Sequence, residues 1–246
     1  ANVYSMLAAP ILTDGDASAL SELAGAPVSV ISIDEAMSLP YESDVPVTVS
    51  EDDVALIQFS SGSTGKPKGV MLTHKNLLTN ARQVIQHCGF TDADRSLNWM
   101  PLYHDLGLIL YHITSLAAGM DQIKMSVSAF IKNPVGWLKK AAAVKASVLY
   151  ATNFALELVL KRLDIDLKEA IDLSHVRCCF VGAEPISPTI FHDFLDRTAS
   201  IGLSRGAVIP SYGLAEASVA AILSPVGEDP VMIRAEKSAL IEGVIA

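Results

Sequence analysis

Hydrophobic positions along the chain fall into short apolar runs separated by stretches with a helical period. The run Val54-Ala55-Leu56-Ile57-Gln58-Phe59 predicts a buried strand and Val70-Met71-Leu72 a second short one, so the loop between them is framed by two strands. From Thr73 the period changes. Leu77, Leu78, Ala81, Val84, Ile85 and Cys88 recur at three and four residues, which predicts an amphipathic helix capped by Thr73 and stopped at Gly89. Asn133-Pro134 supplies an N-cap followed by proline at the first helical position and opens a helix to Lys145; 147–151 is strand-like. A helix from Phe154 to Leu163, a strand from Val176 to Val181, a helix from Ser187-Pro188 to Ile201 and a strand at Ala207-Val208-Ile209 follow. Strands alternating with helices imply an α/β fold, a mostly parallel sheet flanked by helices. The first 50 residues read as a lead-in: a strand at Ala8 to Leu12, a short helix near Ser18 to Leu23, a strand at Val28 to Ile33, and a Pro- and acid-containing connection from Leu39 to Asp53. The expected organisation is therefore 1–50 as lead-in and 51–246 as the main unit.

Composition narrows the class. Half of the 246 residues are apolar and 6% are aromatic, which excludes a disordered or collagen-like chain. The 27 acidic and 18 basic residues give a net charge of −9, so the overall field repels polyanions and no nucleic-acid partner is expected. A phosphate ligand would have to be held by a local device. Three cysteines, two of them adjacent at Cys178 and Cys179 in an apolar run, do not make a disulfide framework, and a reducing, cytoplasmic location is expected. The most apolar stretch, Leu106 to Met120, carries His112, Thr114 and Ser115 and falls short of the roughly 20 residues of a spanning helix, so no membrane span is expected. His74, His87, His112, His175 and His192 form no metal-ligand spacing.

The loop between the first two strands of the main unit is the densest chemical signal. Phe59-Ser60-Ser61-Gly62-Ser63-Thr64-Gly65-Lys66-Pro67-Lys68-Gly69 packs three glycines, four hydroxyls and two lysines into eleven residues. Glycines let the backbone approach an anion and present its amides, hydroxyls add donors, and lysines add charge, which together suit a triphosphate. It is not a Walker A loop: that pattern needs Gly at Ser60 and Ser or Thr at Pro67, and a strand rather than a helix follows. The string closely resembles the signature loop of the AMP-forming acyl-adenylating enzymes, the superfamily of acyl-CoA synthetases, peptide-synthetase adenylation domains and luciferases. That resemblance implies that Ser61, Gly62, Ser63, Thr64, Gly65 and Lys66 grip the β and γ phosphates of ATP.

Three further stretches follow in the superfamily's order. Pro101-Leu102-Tyr103-His104-Asp105-Leu106-Gly107-Leu108 is similar to the second core motif in the form found in fatty acyl-AMP ligases, with Leu106 in place of the more usual Met. The resemblance implies that His104 lies where the acyl tunnel meets the adenylate and orients the carboxylate. Gly182-Ala183-Glu184-Pro185 follows a strand and resembles the stretch whose backbone lines the adenine, which makes Gly182, Ala183 and Glu184 adenine-pocket residues. In Ser211-Tyr212-Gly213-Leu214-Ala215-Glu216-Ala217, an aromatic ring offers a face for a purine and a carboxylate four residues later can hold a hard divalent cation. By resemblance Tyr212, with Gly213 beside it, stacks on adenine, and Glu216 binds Mg2+; His104, Thr64 and Glu216 are the catalytic residues. Asn153-Phe154-Ala155 is similar to a Pro-Asn-Phe-Ala segment near the acyl pocket, with Thr152 where Pro is usual.

The expected reaction is attack of a fatty carboxylate on the α-phosphorus of Mg·ATP, giving an acyl-adenylate and pyrophosphate, with later transfer to an acyl carrier protein. The alternatives are an acyl-CoA synthetase and a non-catalytic nucleotide-binding or interaction fragment. Enzymes of this superfamily carry further chain on both sides of these motifs, including a ribose-binding Thr-Gly-Asp motif and a mobile lid domain with a catalytic lysine, which do not occur before Ala246. The resemblance therefore covers the central part of the large N-terminal domain, with the C-terminal lid domain absent.

Overall fold

The computed structural model describes residues 4–8, 22, 28–32, 38, 48–60, 68–163 and 171–236. Two units make up the chain, Ala1–Thr48 and Val49–Ala246. In the first, β1 (Tyr4–Ala8) and β2 (Val28–Ser32) pair in parallel with Tyr4 opposite Val28. The helix expected near Ser18 to Leu23, apart from Glu22, which is helical, and most of the connection from Leu39 lie outside the described residues.

The second unit opens with β3 (Val54–Ser60) and β4 (Lys68–Thr73), an antiparallel hairpin in which Phe59 faces Gly69. The expectation that β3 is buried is wrong: Phe59 is 71% exposed, and Val54 and Ile57 are about half exposed. The reason is topological, because β3 pairs with β4 alone and the hairpin is a separate two-stranded sheet. Thr73 then caps α1 (His74–Cys88) by the reciprocal bonds of a capping box with Asn76, and Gly89 closes the helix in the left-handed conformation, φ 61°.

A six-stranded sheet carries the site. Its order is β10-β9-β8-β7-β5-β6, where β5 is Arg95–Asn98, β6 Asp121–Lys124, β7 Val148–Ala151, β8 Cys178–Val181, β9 Val208–Gly213 and β10 Ala220–Leu223. Five strands run parallel and β10 returns antiparallel along the edge. Between β5 and β6 lie a π-helix (Leu106–Ile113) and α2 (Thr114–Ala118). The crossovers beyond β6 are α3 (Val127–Lys132) with α4 (Pro134–Val144), α5 (Asn153–Arg162) and α6 (Pro188–Ala199).

Every residue of β7 and β8 is fully buried, as expected of central parallel strands covered on both faces. The covering helices contribute Trp137, Phe130, Phe191 and Phe194, all fully buried, and Trp99 stacks on Phe130 with centroids 4.0 Å apart. At about 1.5–3 kcal/mol for each fully buried large apolar side chain, this layer is the main source of the unit's stability. At the amino ends of the strands, Arg177 Nη1 donates to both carboxylate oxygens of Asp94 at 2.7 and 2.8 Å, and Ser147 Oγ donates to the same carboxylate at 2.8 Å. That latch ties β5, β7 and β8 together at one end. The opposite, carboxyl edge is left for chemistry, the place where open α/β sheets bind ligands.

Candidate active site

Three loops leave the carboxyl edge and build the site. The first leaves β5. Asn98 folds it back on itself, donating from Nδ2 to Met100 O (3.1 Å) and accepting from Met100 N–H (2.8 Å). The loop crosses the start of the π-helix so closely that a side chain at Gly107 would collide with the Pro101 carbonyl, which is why glycine stands there. Asp105 accepts the Leu106 N–H at 2.7 Å and lies 2.9 Å from His104 Nδ1. The Leu106 N–H is also 3.2 Å from His104 Nδ1. Since the shorter contact goes to the carboxylate, Nδ1 carries the proton it donates to Asp105, and Nε2 is the ring atom left for a ligand. The hydrogen bond from His104 holds the Asp105 carboxyl below the usual carboxylate range, against the opposing effect of burial.

The second loop joins β8 to α6. Gly182 is buried, and a Cβ there would stand 2.6 Å from both the carbonyl and the hydroxyl oxygen of Ser211. Ala183 adopts φ 69°, the left-handed region that non-glycine residues rarely enter without a local cause. Just beyond it a pair of reciprocal bonds ties the loop to the start of α5: Phe154 N–H donates to Glu184 Oε1 (2.7 Å) and Ser187 N–H donates to Asn153 Oδ1 (2.8 Å). Thr152, where the similar segments carry Pro, earns its place by capping α5, its hydroxyl accepting from Ala155 N–H at 3.2 Å.

The third loop is the β9–β10 turn. The strand runs further than the apolar signal indicates, through Tyr212 to Gly213, so the Tyr212 ring projects from the end of β9 and is 60% exposed. A side chain at Gly213 would collide with the Val219 carbonyl across the turn. Glu216 is exposed on a single helical turn, Ala215–Ala217, against which the β3–β4 hairpin packs.

Two adjoining cavities result. One, about 160 Å³, is lined by His104, Asp105, Leu110, Ala183, Ser211 and Tyr212 among others. The other, about 420 Å³, is lined by Gln58, Phe59, Tyr103, His104, Asp105 and Glu216 among others. His104 and Asp105 form the wall common to both. Of the residues picked from the sequence, His104, Ala183, Tyr212 and Gly213 thus meet in the first cavity, and Glu216 joins His104 in the second. Gly182 and Glu184 line neither: glycine makes room for Ser211, and the glutamate holds α5. Ser61, Gly62, Ser63, Thr64, Gly65 and Lys66 lie outside the described residues, but the stem residue Phe59 borders the Glu216 cavity. Ser211 and Asn80 were not picked from the sequence. Ser211 looks like any polar strand residue, while Asn80 had a readable signal, an amide on the apolar stripe of α1.

The donors fit a hard divalent cation. No group of three or more His, Cys, Asp or Glu side chains gathers among the described residues. A single exposed carboxylate beside a space large enough for phosphates matches Mg2+, which is usually held by one or two carboxylates, phosphate oxygens and water.

An open parallel sheet with an aromatic ring, a His–Asp pair and a lone carboxylate around adjoining cavities at its carboxyl edge is the frame of a nucleotide-using α/β enzyme. The family model described as AMP-binding enzyme matches residues 7–239, and the chain belongs to that family. Among curated relatives, the long-chain-fatty-acid–AMP ligase FadD32 of Mycobacterium marinum is 35% identical over 196 residues, covering 78% of this chain and 31% of that protein. The medium-chain-fatty-acid–[acyl-carrier-protein] ligase JamA of Moorena producens is 36% identical over 171 residues, 70% of this chain and 29% of JamA. Among solved structures, the fatty acyl-adenylate ligase from L. pneumophila in complex with acyl adenylate and pyrophosphate superposes with TM-score 0.74 at 29% identity, over 92% of this chain and 39% of that one. The chain spans about a third of the length of the curated relatives it matches. These likenesses bear out the resemblance and the α/β fold class read from the motifs. Among the described residues no helix is long and apolar enough to cross a membrane.

Proposed function

We propose that this chain forms the nucleotide- and acyl-binding part of an enzyme that activates a fatty acid with ATP, giving an acyl-adenylate and pyrophosphate. The observation that carries this reading is the pair of cavities sharing the His104–Asp105 wall. In-line displacement at the α-phosphorus sets the attacking acyl carboxylate opposite the departing pyrophosphate; the first cavity takes the adenosine and acyl group and the second the pyrophosphate. Tyr212 and the Ala183 backbone are the adenine contacts on the first side, and Leu106 and Leu110 give that cavity an apolar wall for the acyl chain. On the second side Glu216 faces the space bordered by the stem of the phosphate loop, through which Ser61 to Lys66, with Thr64 as a catalytic hydroxyl, hold the β and γ phosphates. Mg2+ held by Glu216 and phosphate oxygens would supply the positive charge that offsets the charge of the leaving pyrophosphate.

His104 orients the carboxylate at the junction. Asp105 holds Nδ1, so the ring cannot turn freely and its place at the junction is fixed. No side chain forms a covalent intermediate in this scheme. Alignment and charge stabilisation supply the rate enhancement. The acceptor we propose is an acyl carrier protein, the acceptor that the name of JamA states for that relative.

Fatty-acid-dependent exchange of labelled pyrophosphate into ATP tests this reading. The expected result is exchange that requires Mg2+ and falls about 100-fold in Glu216→Gln, the scale of losing one charge-stabilising group. Exchange that persists unchanged in Glu216→Gln, or that no fatty acid supports, would contradict it.

A further inference from the structure

Helix α1 packs its apolar stripe, and Leu77, Ala81, Val84 and Cys88 are buried along it. Asn80 lies on the same side and is only 7% exposed. A buried amide is unfavourable unless its polar atoms are bonded, so its partners define what it does. All three of its hydrogen bonds cross to the β9–β10 turn. Nδ2 donates to Ala217 O (3.2 Å) and Ala220 O (2.8 Å), and Oδ1 accepts from Ala220 N–H (3.3 Å). The opposite amide orientation would set Oδ1 against two carbonyl oxygens, so the donor side is fixed by chemistry.

The residues gripped are the two ends of the segment that follows Glu216, with Ser218 between them at φ 68°. Packing contributes at Val219, which is buried in the core between the two gripped alanines. A groove of about 230 Å³, lined by Gln83, Val84, His87, Ala220, Ala221 and Leu223, runs beside Asn80. The other tether there is also polar, His87 Nε2 with Ser224 O at 3.0 Å. At its other end α1 is continuous through the Thr73 cap with β4, one stem of the phosphate loop. One rigid helix therefore joins the loop hairpin to the turn that carries Glu216.

We infer that Asn80 is a positioning residue: it clamps the Glu216 turn to α1 and so fixes the carboxylate relative to the phosphate-loop hairpin. The inference rests on the reading of Glu216 as the metal-binding carboxylate. Its geometric half, the clamp itself, stands apart from that reading and can be measured without a ligand.

The test uses the full chain and Asn80→Asp, which keeps the shape and removes the donors. Asn80→Ser serves the same comparison should Asn80→Asp not fold. Losing two hydrogen bonds should speed hydrogen exchange of peptides covering 214–223 roughly tenfold or more, with α1 and β7 within about twofold of the parent. Equal acceleration in all three regions, or none in 214–223, overturns the clamp. Calorimetry then separates its purpose: Mg·ATP binding should weaken about tenfold, while AMP binding, which needs no metal carboxylate, changes by less than about threefold. Equal losses for both ligands overturn the positioning role. If Glu216→Gln leaves Mg·ATP binding intact, or the parent chain does not bind Mg·ATP, the reading of Glu216 fails, and the positioning role fails with it, while the exchange result still decides the clamp.

Discussion

Asp105 shows how much a single carboxylate can organise. It accepts the first amide of the π-helix and holds the His104 ring, and the hydrogen bond from His104 draws its pKa below the ordinary value. The sign of the consequence is fixed. A carboxyl whose folded pKa lies below its unfolded value of about 3.9 contributes stability that is fully present above that value and is lost as pH falls through the folded pKa. Denaturant titrations of Asp105→Asn should therefore show lower stability than the parent near neutrality and a flatter acid limb between about pH 2 and 4. An acid limb identical to that of the parent would contradict the assignment. At this scale the sequence is most legible where a residue type has few structural uses. His104, Tyr212 and Glu216 stand at strand ends with side chains that core packing does not call for. Glu184 is illegible in the same way that it is useful: its carboxylate caps a helix thirty positions earlier, and that pairing exists only in the fold.

Among the elements, the bounds of α1 are legible because cap and stop agree, although Leu78 on the expected stripe is exposed and Asn80 is buried within it. Thr73→Ala removes the side chain that accepts from Asn76 N–H and should cost about 1 kcal/mol, read as a lower midpoint in urea with an unchanged slope. No change in midpoint would mean that the cap is dispensable. Other elements were hidden for physical reasons. The strand Arg95-Ser96-Leu97-Asn98 looks polar, yet Ser96 and Asn98 are fully buried because each is hydrogen-bonded, Ser96 Oγ to Ser115 Oγ at 3.0 Å and Asn98 to Met100. The edge strand Asp121-Gln122-Ile123-Lys124 is paired on one side only and carries the polar residues that edges tolerate. The opposite error occurred at β3, where an apolar run suggested burial. Periodicity reports local character, whereas burial depends on which sheet the strand joins.

Seen whole, the molecule places its thiols where only unfolding exposes them. Cys88, Cys178 and Cys179 are free and buried. Burial pushes the Cys179 thiol up to about 12, and a hydrogen bond with Cys178, with burial second, raises Cys88. A thiol reagent at mildly alkaline pH should label none of them in the native protein and all three in denaturant. Fast native labelling of any one would contradict the burial of these thiols. The same parallel topology gathers strand ends from distant parts of the sequence at one edge, and that gathering brings His104, Ala183 and Tyr212 around one cavity. Calorimetry with a non-hydrolysable acyl-adenylate analogue tests it at its core, using the parent chain, Tyr212→Ala and Glu216→Ala. Binding should weaken about tenfold in Tyr212→Ala, the scale of losing one base–aromatic stack, and change little in Glu216→Ala, because the analogue carries neither pyrophosphate nor metal. A folded protein that does not bind the analogue, or that loses it equally in both variants, would contradict a cleft built for an acyl-adenylate.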